Sequence, residues 1–201
     1  ATSSVVANAV IVKKVYFPRE ILPLAAIGAA IVHYLLQTLV LVVMLVAFQH
    51  NVDWSLIWLL PIALFTLLVF VSALGILLSA VNVYARDMQH LLELILLAWF
   101  WLTPVVYAYK VLPTEGFAGI VANLIRANPM AAIILPFQRV IYNHVTVEAT
   151  TGNHDIIQIL PDQDTLWYLK NLGLTLAFSG VLIFVAMRIF DRAQGNFAEE
   201  L

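Results

Sequence analysis

The chain contains no cysteine among its 201 residues. Disulfides, thiol nucleophiles and cysteine-ligated metal centres are excluded by that absence alone. Charge is nearly as scarce. Ten Lys and Arg and twelve Asp and Glu amount to 11% of the residues, with a net charge of −2, where a soluble domain carries about 25%. No basic stripe runs along the sequence, so a nucleic-acid partner is not expected. A glycine-rich phosphate loop, a paired-histidine metal motif and a nucleophile elbow are all missing. No catalytic residue, cofactor or metal is therefore assigned to this chain. Its histidines, His33, His50, His90, His144 and His154, are scattered without ligand spacing. The start at Ala1 has no basic region leading into a short apolar run, so it does not read as a signal peptide; it is expected to be the interior of a longer protein.

What fills the space is apolar: 63% of the residues are hydrophobic. Residues 21–48 carry no formal charge, and neither do residues 54–85. A bilayer core about 30 Å thick needs roughly 20 helical residues, so each run is long enough to cross. In lipid the backbone must satisfy its own hydrogen bonds, which makes these segments helices, and the alternation of barrel strands is absent. The reading is an all-α integral membrane protein of about four spans, at 21–48, 54–83, 91–109 and 166–187. Residues 117–142 are apolar but broken by Arg126, Asn128-Pro129, Pro136 and Arg139. Each half is too short to cross, so two short re-entrant or interfacial helices are expected, with one amphipathic surface helix as the other reading. Residues 143–165, with Gly152-Asn153 and Pro161-Asp162, read as an exposed loop.

Lys and Arg in short segments set the orientation. Lys13, Lys14, Arg19, Arg86, Arg188 and Arg192 fall on one side of a four-span arrangement. That side, residues 1–20, 82–90 and 188–201, is expected to be cytoplasmic, with residues 110–165 facing outward.

Polar groups within spans are functional candidates by default. His33 and Gln37 lie four apart on one face of the first span, where they either line a pathway or bond between helices. Glu93, three residues after His90, is either a relay carboxylate or a group reaching the interface. Ala25, Ala29, Ser72, Gly75 and Ser79 recur at helical spacing and allow close helix contact. Ahead of the first span stand Val12, Lys13, Lys14, Val15, Tyr16, Phe17, Pro18 and Arg19, a short amphipathic element facing the cytosol. Read plainly, it is a basic and aromatic membrane anchor.

Several segments carry a resemblance. Residues 8–9 and 13–23 (KKVYFPREILP), 82–87 (NVYARD), 99–107 (WFWLTPVVY), 128–130 (NPM) and 195–201 (GNFAEEL) together resemble ABC-2 type polysaccharide-export permeases, in the family's order. The resemblance implies a multi-pass protein of the bacterial plasma membrane that exports a lipid-linked O-antigen, teichoic-acid-type polymer or related glycan. It implies a permease dimer, and a separate ATPase subunit that consumes ATP and Mg. It makes Val12 to Arg19 the coupling helix that docks on that ATPase. It places two short external helices between the last two spans, and it offers Trp99, Phe100, Trp101 and Tyr107 as pathway-lining aromatics. The family's permeases begin with an amphipathic helix and further spans before this point, so the chain is expected to lack an N-terminal part, and residues 1–11 to be the end of a span. A drug or small-lipid permease is the alternative. A membrane-embedded glycosyltransferase, for which Asp155, Asp162 and Asp164 are available, and a stand-alone channel are weaker ones.

Overall fold

A computed structural model describes residues 1–14, 18–85, 87–107, 109, 116–142, 146–148, 156–195 and 197. Eight α-helices account for about three quarters of them. Two are short, α1 (Ser4–Ala7) and α2 (Ala9–Lys14). They are followed by α3 (Ile21–Ala47), α4 (Leu59–Tyr84), α5 (Met88–Trp101), α6 (Gly116–Ala127), α7 (Pro129–Tyr142) and α8 (Thr165–Gln194).

Three of these, α3, α4 and α8, are long and apolar enough to cross a membrane. At 1.5 Å per residue they reach roughly 40–45 Å, past the hydrocarbon core at both ends. Three hydroxyls on α3 and α4 are folded back onto their own helix: Thr38 donates to the Tyr34 carbonyl at 2.9 Å, Thr66 to Ile62 at 2.9 Å and Ser79 to Ile76 at 2.8 Å. Each hydroxyl is thus satisfied without a neighbouring helix. The three helices differ in enclosure. Over its most apolar stretch α4 is 39% buried, α8 22% and α3 0%. The second span is the one the fold wraps.

The ends of α3 follow from local chemistry. Pro23 sits in the first turn, where its missing N–H has no partner to lose. At the other end Gln49 turns left-handed with φ 50°. Its N–H reaches the Val46 carbonyl at 3.1 Å, and the His50 N–H reaches Leu45 at 2.9 Å. That pair of reversed bonds is a Schellman stop.

The expected third span is shorter than residues 91–109. Helix α5 begins at Met88 and stops at Trp101, giving roughly 21 Å, less than the hydrocarbon core. Pro104 is the reason: it has no N–H to extend the ladder, and its ring collides with the preceding turn. Thr103 closes the end by donating its hydroxyl to the Trp99 carbonyl at 2.9 Å. The expected pair of short helices in 117–142 is present as α6 and α7, bent by 77° at Asn128. The loop that follows carries structure that hydropathy did not suggest: β1 (Thr146–Glu148) and β2 (Ile156–Gln158) pair antiparallel, with Val147 opposite Ile157. Asn153 and its neighbours lie outside the described residues.

The chain forms two compact units. Residues 1–50, 68–94 and 176–201 make the first. Its core gathers Val5 and Val12 from the short N-terminal helices, Ile76, Ala80 and Val83 from α4, Ala186 and Phe190 from α8, and Phe197 beyond it. Gly75 is part of this packing: a Cβ there would stand 2.9 Å from Ile27 Cδ1 and 3.2 Å from Ala1 Cβ. Of the small residues flagged by spacing, this glycine marks a true close approach, whereas Ala25 and Ala29 are exposed. Residues 51–67 and 95–175 make the second unit, with Leu59, Leu135, Leu160 and Tyr168 at its centre. There Asp53 holds a short 3₁₀ turn, Trp54–Leu56, by accepting from the Ser55 N–H at 3.2 Å. The same residue ties the turn to α7: its N–H donates to Val140 at 3.0 Å and its carboxylate lies 3.7 Å from Arg139.

Candidate functional site

The segment before α3 enters the structure in pieces. Val12 belongs to α2 and is 3% exposed within the first unit's core, so it faces its own chain. Lys13 and Lys14 complete α2. Val15, Tyr16 and Phe17 lie outside the described residues. Pro18 is exposed, and Arg19 is half-buried.

Arg19 is turned inward. One guanidinium nitrogen donates to the backbone carbonyl of Gln194, the last residue of α8. Its central carbon stands 5.9 Å from the centre of the Phe197 ring, within cation–π range. The final carbonyls of a helix have no partner within it and carry the negative end of its dipole. Arg19 supplies charge and donor to one of them. Tyr84, the last residue of α4, supplies a donor to the next, its hydroxyl reaching Ala193 at 2.9 Å. Phe197 is fully buried, edge to face with Phe190 at 5.4 Å and with Tyr84 at 6.2 Å. Beside this cluster Glu20 meets Asp191. Burial, then the hydrogen bond and negative charge from Asp191, raise the Glu20 carboxyl above its ordinary pKa.

The aromatic end of α5 resolves into two kinds of ring. Phe100 and Trp101 are exposed and stand edge to face at 5.7 Å. Tyr107, half-buried, donates to the Trp101 carbonyl at 3.1 Å. Trp99 is half-buried, and its indole N–H donates to Asn128 Oδ1 at 2.9 Å. Asn128 is a side chain the sequence reading left without a role, and it has the most connections of any here. Its Nδ2 donates to the Leu102 carbonyl and to Thr103 Oγ1, both at 3.0 Å, and its Oδ1 also accepts the Met130 N–H at 3.0 Å. The last contact is an N-cap, with Pro129 at the first helical position of α7. Gln138 adds a bond from α7 to the Pro104 carbonyl at 2.8 Å. The free backbone at the end of α5 is therefore taken up by α7 and its cap. An Asn-Pro pair at a break in an apolar stretch was the available signal for the cap; its reach to α5 had none.

His33 and Gln37 are exposed on α3 and make no hydrogen bond among the described residues. They share a helix face that no part of the described chain encloses. His90 and Glu93 are likewise exposed on α5. No metal-ligating cluster occurs among the described residues.

The model of the ABC-2 type transporter family matches residues 1–142. The chain belongs to the ABC-2 type transporter family. Among curated proteins, this ABC-2 chain is 29% identical over 188 residues to the O-antigen export system permease protein RfbA of Myxococcus xanthus, covering 94% of the chain. Two proteins of the same name from Klebsiella pneumoniae are 29% identical and cover 98% of it. The chain spans 63–66% of the length of these relatives. It is a multi-pass membrane protein of a transport family, and enzymatic chemistry is not what its relatives are named for.

Proposed function

We propose that the chain is the transmembrane part of an ATP-driven exporter that moves a lipid-linked polysaccharide across the bacterial plasma membrane. The observation that carries the reading is the match to O-antigen export permeases along 94–98% of the chain. Membership of the ABC-2 type transporter family supports an ABC ATPase partner, which consumes ATP and Mg to supply the work. Physical features agree with the reading. Helix α3 has 0% of its apolar stretch enclosed, leaving a surface for lipid and for a second permease copy. Exposed Phe100 and Trp101 offer flat apolar faces of the kind that pack against the C–H faces of sugars. Val12 to Arg19 is the coupling segment, with Tyr16 and Phe17 as its anchors in the ATPase. The side that holds residues 1–20, 82–90 and 188–201 is cytoplasmic, and α6 and α7 dip into the outer leaflet as a re-entrant pair.

The test is reconstitution of the full permease with its ATPase in proteoliposomes. Movement of a lipid-linked glycan that requires both subunits and ATP is expected. Transport of a hydrophobic drug with no response to the glycan would overturn the substrate assignment.

A further inference from the structure

We propose that Arg19, Tyr84 and Phe197 form an intramolecular clamp that passes movement of the segment before α3 to the end of α8, with Phe197 as its positioning residue. The inference rests on the reading that residues 12–19 receive the ATPase. On sequence alone Arg19 is one of the basic residues of that element facing the cytosol. In the structure its guanidinium is committed to its own chain, bonded to the Gln194 carbonyl and set over the Phe197 ring.

Three elements converge on that one ring. Arg19 comes from the segment before α3, Tyr84 from the end of α4, and Phe190 from α8 itself. The two polar members also hold successive carbonyls at the end of α8, Tyr84 that of Ala193 and Arg19 that of Gln194. A displacement of Arg19 must therefore break a charge-assisted hydrogen bond and leave an aromatic face, or carry α8 with it. Phe197 is 0% exposed and packed edge to face against Phe190 and Tyr84, so movement of the ring displaces its neighbours. A guanidinium satisfies both contacts at once because it is planar and has five donors; an ammonium at the same position keeps the charge but not the paired geometry. Arg19 thus acts inside the permease, downstream of docking.

Residues 1–201 contain no cysteine, so with any cysteines elsewhere in the complex replaced, a single reporter can be placed at Gly195, where an added Cβ meets nothing within 4 Å. In the full permease bound to its ATPase, Arg19→Ala should speed thiol labelling of Gly195→Cys roughly tenfold, as expected when a charge-assisted hydrogen bond and a cation–π contact are lost together. Arg19→Lys should fall between. The ATPase should still co-purify and hydrolyse ATP, while glycan moved per ATP drops several-fold. Phe197→Leu, which keeps an apolar side chain but removes the ring, should show the same pattern. Arg19→Ala combined with Phe197→Leu should be no worse than the stronger single change. Loss of the ATPase on Arg19→Ala, unaltered labelling, unaltered transport per ATP, or additive effects would each overturn the clamp. Should the wild-type complex move no glycan, the substrate reading fails and the clamp is still decided. A nucleotide-dependent change in Gly195→Cys labelling that vanishes in Arg19→Ala supports it, and one that persists overturns it.

Discussion

The indole of Trp99 donates its N–H to the side-chain oxygen of Asn128, 2.9 Å away, and so joins the end of α5 to the break between α6 and α7. The ring is held by a polar contact and is not loose on the surface. This separates it from Phe100 and Trp101, its exposed neighbours, as a candidate for contact with substrate.

Asn128 uses both ends of its amide, and each substitution removes a different set. Asn128→Ala removes the Asn128 bonds to the Trp99 indole, the Leu102 carbonyl and the Met130 N–H, and losing the partner of a buried polar group costs about 1–3 kcal/mol. Asn128→Asp keeps the acceptor for Trp99 and Met130 and loses both Nδ2 bonds. Thermal denaturation of the purified protein should rank the wild type above Asn128→Asp and Asn128→Asp above Asn128→Ala. A cycle with Trp99→Phe measures the coupling, and strict additivity would show that the two residues act independently.

Gly75 distinguishes tight packing from a small residue by chance. Gly75→Ala places its Cβ against the flexible tip of Ile27, which can rotate away, and 3.2 Å from Ala1 Cβ, which must give slightly, so a small loss of stability is expected. Gly75→Leu cannot be absorbed in that way and should lower stability by roughly 1–3 kcal/mol, the usual range for overpacking. Ile27→Ala in the same molecule should recover part of it. Equal tolerance of Ala and Leu in a melting assay would place the contact elsewhere.

Glu20 makes the end of the segment sensitive to pH. Its pKa is raised in the folded state, so the folded protein holds that proton more tightly than the unfolded chain. The associated stability is fully present below the ordinary carboxylate pKa and is lost as pH climbs through the raised value. Glu20→Gln keeps a donor toward Asp191 and removes the charge. Melting temperatures across this window should decline in the wild type relative to Glu20→Gln as pH rises. Parallel curves for the two proteins would exclude this pair as the source.

Orientation is tested by single cysteines, which the sequence makes straightforward. An impermeant thiol reagent added outside intact cells should label Asn153→Cys and leave Gln89→Cys untouched. The reverse pattern would invert the topology drawn from the Lys and Arg distribution.

Tyr16 and Phe17 remain the proposed anchors on the ATPase. Replacing both by Ala should reduce export and ATPase retention sharply, since buried aromatics dominate such interfaces, whereas Lys13→Ala should be mild. Normal amounts of permease accompanied by normal export would leave the pair as a membrane anchor only.

Composition and the uncharged stretches of this sequence were enough to determine a membrane protein with spans at about 21–48 and 54–83, which the structure places at Ile21–Ala47 and Leu59–Tyr84. Lipid leaves the backbone only internal partners, so length and lack of charge translate directly into spans. The Asn128-Pro129 break was legible for the same reason, because a cap and a proline act within one turn. The shortness of α5 was partly legible in Pro104, although the apolar run continued past it and outweighed it. What tertiary structure alone decided are pairings across distance. Nothing local tells Arg19 to seek a carbonyl 175 residues away, or Asn128 to take up the end of α5 in place of water. Those contacts exist because buried donors and acceptors must be matched by whatever the fold brings near, and nearness between distant segments is set by how the helices pack.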